Sequence, residues 1–200
     1  MLIEIPYRRE RAVEYAQRWA LSRNPLFPDF AGIGGDCTNF VSQAILAGSC
    51  VMNDTLDFGW YYFSPENRAP AWSGVEFFYK FITGDPEFAR ENGGVGPFGV
   101  EVPTTMIEAG DVVQLQNAQG TYYHTLMVTG MDGDDLLVSA HTNDAKNRPL
   151  STYNYASARF LHIAGTRLLL ENEECYRQLL EGQAYRPLTC APDGVLLRPR

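Results

Sequence analysis

Asp36-Cys-Thr-Asn-Phe-Val-Ser-Gln-Ala-Ile-Leu-Ala-Gly48 decides how the rest of the chain is read. Phe40, Val41, Ala44, Ile45 and Leu46 recur at helical spacing and mark one buried side. Gly48 is the expected stop, since glycine takes the left-handed conformation that closes helices. Gly32-Ile-Gly-Gly35 leads in, and Asp36 stands at the N-cap position, where its carboxylate is expected to tie down the helix start. Cys37 then occupies the first turn, where unpaired N–H groups and the positive end of the helix dipole favour thiolate over thiol. The same N–H groups suit the oxyanion of a tetrahedral intermediate.

Upstream, Ala12, Tyr15, Ala16 and Trp19 predict an amphipathic helix within 7–22 that Asn24-Pro25 stops. Downstream, Phe58-Gly-Trp-Tyr-Tyr-Phe63 and a helix over Trp72–Ile82 form a helical, aromatic insert at about 51–103, ending in a Gly- and Pro-rich stretch from Gly93 to Pro103. Three β-like runs follow, at Val112–Leu115, Tyr122–Thr129 and Leu136–Thr142, the last two joined by the turn Asp132-Gly133-Asp134-Asp135. A fourth strand is predicted at Arg159–Ala164. Helices first and an antiparallel meander second argue for an α+β domain over 1–170, with N-terminal helices packed on one face of the sheet. Residues 171–200 read as a C-terminal extension with one short helix.

In Tyr122-Tyr-His-Thr-Leu-Met-Val128, alternation puts Tyr122, His124, Leu126 and Val128 on one face, taken as the face the first helices cover. An imidazole there can act on a helix-start sulfur as general base and then acid. His141 and Asn143 stand two apart on the predicted neighbouring strand. Either of them, or Asp144, can accept from the His124 ring and fix its tautomer. Cys37, His124 and His141 could instead be three zinc ligands with an open fourth position. That reading lacks a His-x-x-x-His helical pair and a placed acidic base. Gly32-Ile-Gly-Gly35 has no third glycine and no Gly-Lys-Ser/Thr ending, so no nucleotide cofactor is expected, and Asp132–Asp135 lacks calcium-loop spacing.

With 16 Lys and Arg against 24 Asp and Glu, the net charge is -8. Such a surface repels phosphate backbones and anionic lipid, so neither nucleic acid nor membrane is an expected partner. No apolar run approaches the roughly 20 residues that span a bilayer. The charged start, Met1 to Glu10, is unlike a signal peptide, which implies a cytoplasmic location with release by another route left open. Cys37, Cys50, Cys175 and Cys190 are too sparse for a disulfide scaffold. Cys175 and Cys190 could close a disulfide in an oxidising compartment, and without an export signal are expected as free thiols.

The Asp36-Cys-Thr-Asn-Phe-Val-Ser-Gln43 motif, with Tyr15-Ala-Gln-Arg-Trp-Ala20 and Asn24-Pro25 before it and His124-Thr-Leu-Met-Val-Thr-Gly130 and Ser139-Ala-His-Thr142 after it, resembles the putative amidase domain family. That family sits in the papain-like amidase and peptidase group that includes the CHAP domains, and the resemblance covers about residues 7–165. It implies a papain-like fold, Cys37 as nucleophile, His124 as base, His141 as third member, and Asn143 where related domains carry a further polar residue. Gly110-Asp111 matches the pair that opens the first strand of the sheet. Asp36 stands where CHAP domains carry Gln, so the oxyanion contact falls to backbone N–H groups with Asn39 or Thr38. Trp60 and Trp72 lie in the family's aromatic region and, with Asp36 and Asn39, are read as substrate-holding. The implied substrate is a peptide or muropeptide, cut at an amide bond without a metal or other cofactor. A non-catalytic papain-like binding module is the alternative.

Overall fold

A computed structural model of the chain describes residues 2–32, 35–168, 179–182, 188–190 and 196–197. In chain order the elements are β1 (Ile3–Ile5), α1 (Arg9–Trp19), α2 (Cys37–Ser49), β2 (Val51–Met52), α3 (Pro70–Ser73), α4 (Val75–Thr83), α5 (Pro86–Asn92) and β3 (Gly96–Glu101). They continue with β4 (Val112–Gln116), β5 (Tyr122–Asp132), β6 (Asp135–Ala140), β7 (Ala145–Pro149), β8 (Ser157–Leu168), β9 (Leu188–Cys190) and β10 (Leu196–Leu197). The main sheet runs β1-β8-β4-β5-β6-β7, with β3 also paired to β8. Its pairings are all antiparallel, and the architecture is α+β as expected.

α2 is the centre of the molecule. Each of its residues from Cys37 to Ser49 is buried, because α1, α3 and the sheet cover it from different sides; the apolar periodicity marked only one side. Ser42, Gln43 and Asn39 are tolerated there because each has a partner. Ser42 Oγ donates to the Trp72 carbonyl at 2.8 Å, and Gln43 Oε1 accepts from Tyr15 Oη at 2.8 Å. A buried polar group without such a bond costs on the order of 1–3 kcal/mol.

Gly48 does not end α2. The helix runs on to Ser49, and Cys50 takes the left-handed C-cap at φ 52°. Gly48 is needed for a different reason: a Cβ there would lie 2.3 Å from Tyr7 Cε2 and 3.0 Å from the Arg8 carbonyl. The predicted helix at 72–82 is two, α3 and α4, split at extended Gly74. Gly93 to Pro103 contains strand β3, which pairs with β8 across a register shift at Phe98/Gly99.

β4 to β7 form the predicted meander, with one more strand than expected, and Asp132 pairs with Asp135 across the hairpin turn. Helices pack on one face of the sheet, against Val112, Met127, Leu161 and Ile163. The other face carries a second cluster around Val113, Leu115, Leu126, Val128 and Val138. Leu126 and Val128 therefore point away from the helices, contrary to the expectation, and His124, paired with Leu115, shares their face. Thr125 and Met127 are the β5 residues that meet the helices. Alternation groups residues by face but does not say which face is covered.

Replacing Gly48 with Ala is expected to lower stability by about 1–3 kcal/mol, the usual cost of overpacking a filled core, seen as a reduced thermal midpoint.

Candidate active site

Cys37 opens α2 and is 6% exposed. Its sulfur meets Thr38 Oγ1 at 3.9 Å and faces the backbone N–H groups of Thr125, Thr38 and Cys37 itself. Thr38 Oγ1 lies 2.9 Å from Thr125 Oγ1, which ties the helix start to β5. Burial is the largest influence on the thiol and pushes it up; the Thr125 N–H and the Thr38 hydroxyl pull it down without overcoming that. The expected thiolate at the helix start gives way to a neutral thiol, because removal from water outweighs the N-terminal field.

His124 stands immediately before Thr125. Its side chain points to the opposite face of the sheet from that of Thr125, so the chain neighbour of the residue that meets the sulfur is a histidine on the other face. β6 ends at Ala140, and its pairing with β5 reaches only Met127 opposite Ser139. Thr125 thus sits on a stretch of β5 that β6 does not pair. No hydrogen bond joins Cys37 to a histidine among the described residues; such bonds often tighten only when substrate is bound. Burial first, and the Arg148 guanidinium second, push His124 down to about 4. Its ring lies 6.2 Å from that of Tyr153 and 6.1 Å from that of Tyr123.

His141 and Asn143 are not on a strand. Residues 141–144 form the turn between β6 and β7, with Thr142 and Asn143 at φ 62° and 68°. His141 is turned toward Asp36, with Nδ1 2.6 Å from Asp36 Oδ2 and Nε2 2.9 Å from the Trp19 carbonyl. Both ring nitrogens are thereby engaged away from His124. Asn143 is exposed, and Asp144 accepts a bidentate pair from Arg23 at 2.9 and 3.0 Å.

The four residues read as substrate-holding are enclosed. Asp36 is fully buried and does not cap α2 with its side chain. Its Oδ1 instead accepts from the Phe30 N–H at 3.1 Å and from Asn39 Nδ2 at 2.7 Å. Asn39 also donates to the Pro28 carbonyl and accepts from Trp72 Nε1, so it has no donor left for an oxyanion. Trp72 stacks on Phe27, and Trp60 donates to Ser42 Oγ at 3.0 Å. Indoles with no exposed surface are core, and their polar edges are satisfied internally.

Sequence reasoning missed Thr125, Thr142 and Arg148. For Thr125 a signal existed: it is the alternate-face neighbour of His124. Arg148 is brought near by β7, which was not predicted. Among the described residues, no cluster of three His, Cys, Asp or Glu is placed to hold a metal ion. Asp111, of the Gly110-Asp111 pair, is buried and bonded to Arg9, to His162 Nδ1 at 3.0 Å and to the Ile163 N–H at 3.0 Å, and so staples α1 to the sheet. Cys50 is buried and free. Cys175 lies outside the described residues, as does the Cys190 side chain.

An open cleft of about 470 Å³ is lined by Asn117, Ala118, Tyr123, Asn154, Tyr155 and Ala156, and includes neither Cys37 nor His124. None of these residues is charged. A second cavity, of about 210 Å³ between α4, α5 and β3, includes neither Cys37 nor His124.

Because the folded state favours neutral His124, the unfolded chain binds more protons between the ordinary value of 6.5 and about 4. Stability is expected to fall as pH drops through that window, by about 3 kcal/mol in the limit, and to level off below it. Denaturant titrations at pH 7, 5.5 and 4 check this, and His124→Gln should flatten the slope.

Residues 6–164 match the model of the putative amidase domain family. Two relatives are uncharacterized proteins of Bacillus subtilis (strain 168). YhbB is 29% identical over 148 residues, covering 71% of this chain and 43% of that protein. YjcM is 28% identical over 146 residues, covering 69% of this chain and 31% of that protein. The chain spans less than half the length of either relative. No solved structure matches. With the family model covering more than three quarters of its length, the chain belongs to the putative amidase domain family.

Proposed function

We propose that the domain hydrolyses amide bonds through an acyl-enzyme on Cys37. Membership of an amidase family supports hydrolysis at a C–N bond. The observation that supports the cysteine mechanism is Cys37 in the first turn of α2, with its sulfur facing the N–H of Thr125, the chain neighbour of His124.

The neutral imidazole of His124 takes the thiol proton as sulfur attacks the carbonyl carbon, and the carbonyl oxygen becomes an oxyanion. The N–H groups of Cys37 and Thr38 face that oxygen, in the role that Asn39 cannot fill. The C–N bond then breaks as His124 gives its proton to the departing nitrogen. Water, activated by the same imidazole, attacks the thioester, releases the acid and restores the thiol. A neutral thiol and neutral imidazole suit this order, since the proton moves only when substrate is attacked.

The uncharged cleft at Tyr123, the chain neighbour of His124, favours a neutral, hydrogen-bonding portion of substrate. Peptide amides and N-acetylated sugar-peptide links of cell-wall fragments have that character, and we take them as the substrate class. The burial of Cys37 is what the alternative, a non-catalytic binding module, would also produce.

Cys37→Ala is expected to reduce turnover of muropeptide mixtures, followed by mass analysis of products, by on the order of 10⁴-fold or more, with unchanged circular dichroism. Retained hydrolysis overturns the mechanism. Tyr155→Ala should raise KM about 5- to 10-fold, near 1 kcal/mol of binding, with kcat little changed. The acid limb of kcat/KM is expected at about 4, where His124 gains its proton.

A further inference from the structure

The buried His141 ring lies where α1, α2 and the β6–β7 turn meet, with Phe40 stacked on it at 4.1 Å between centroids. Nδ1 faces a carboxylate oxygen of Asp36 at 2.6 Å, and Nε2 faces the carbonyl of Trp19, the last residue of α1, at 2.9 Å. The carbonyl can only accept, and the carboxylate, already taking two N–H donors on its other oxygen, is held in its accepting form. A ring that satisfies both carries a proton on each nitrogen. A neutral ring would set a lone pair against an acceptor on one side.

The surrounding charges agree. Asp36, Asp29 and Asp144 gather around one guanidinium, Arg23, at 3.5, 3.0 and 2.9 Å. Three carboxylates against one cation leave an excess that an imidazolium offsets. The Trp19 carbonyl, which also accepts from the Ser22 N–H at 3.2 Å, lies at the C-terminal end of α1, where a helix favours positive charge.

We propose that His141 is a cationic positioning residue that fixes Cys37 from behind, clamping Asp36 to the end of α1, and that it does not orient His124. The idea rests on Cys37 being the nucleophile for its catalytic consequence but not for the charge itself. Residue 36 is held twice: His141 takes its carboxylate, and Thr142 Oγ1 accepts its N–H at 2.7 Å. Thr142 takes a left-handed φ of 62°, an uncommon conformation for a β-branched residue, and Gly35 takes φ 106° with room for that hydroxyl. The Asp36 carbonyl then accepts the first helical bond, from the Phe40 N–H at 2.9 Å. Displacing the clamp displaces the first turn of α2, and the sulfur with it.

The test is ¹⁵N–¹H NMR of the three histidine rings at pH 7, assigned with His124→Gln, His141→Gln and His162→Gln. Two protonated nitrogens are expected on His141; a neutral tautomer overturns the proposal. In His141→Gln, kcat should fall about 100-fold, as for a misplaced reacting group, with KM and the acid limb of kcat/KM unchanged. Iodoacetamide should label Cys37 about tenfold faster, because a released helix start uncovers the sulfur. Unchanged or slower labelling, or a shifted acid limb, also overturns it. If His141→Gln fails to fold, the wild-type spectrum still decides. If Cys37→Ala keeps activity, the proposed reaction fails while the ring protonation and the labelling rate still test the clamp.

Discussion

The Asp36 carboxylate, fully removed from solvent, must be matched by donors or the fold around it fails, since an uncompensated buried charge costs several kcal/mol. The chain supplies donors from four directions: the Phe30 N–H, the Asn39 amide, the His141 ring and, at 3.5 Å, Arg23. These come from the loop before α2, from α2 itself, from the β6–β7 turn and from the segment after α1. One carboxylate thereby fixes the position of a helix start relative to a sheet edge. Cys37 is the next residue, so its sulfur inherits that position.

A second constraint is the dryness of the site. A sulfur at a helix start is commonly expected as thiolate, but here burial raises the thiol and lowers the imidazole. The two shifts have the same cause: low-dielectric surroundings disfavour a charge on either group. A pair that rests neutral holds its proton until a carbonyl arrives, in contrast to a thiolate–imidazolium pair that rests charged.

Much of the site was legible as residue types. Cys37 behind a Gly-rich turn, His124 in an alternating run, and His141 in a polar strand end were each visible, because their local patterns are set by turn chemistry and periodicity. Their relations were not. Asn39, Trp60 and Trp72 read as substrate contacts because polar and aromatic residues near a nucleophile have that use, yet Trp72 donates to Asn39 and Trp60 to Ser42 inside the core. No local pattern distinguishes an indole facing a groove from one facing another indole.

The sequence by itself determined the elements that obey short-range rules: α1 and α2 from their 3.6-residue spacing, β4 to β6 from alternation, and the hairpin turn at Asp132–Asp135. It also determined the α+β order and the family, through the Asp36–Gln43 motif. Only the tertiary structure decided which face of β5 the helices cover, that all sides of α2 are enclosed, and that His141 turns to Asp36. Each of these depends on groups separated by about a hundred residues, as Asp36 and His141 are. Face, enclosure and partner are properties of packing between distant segments, and a local pattern carries no information on which distant segment arrives.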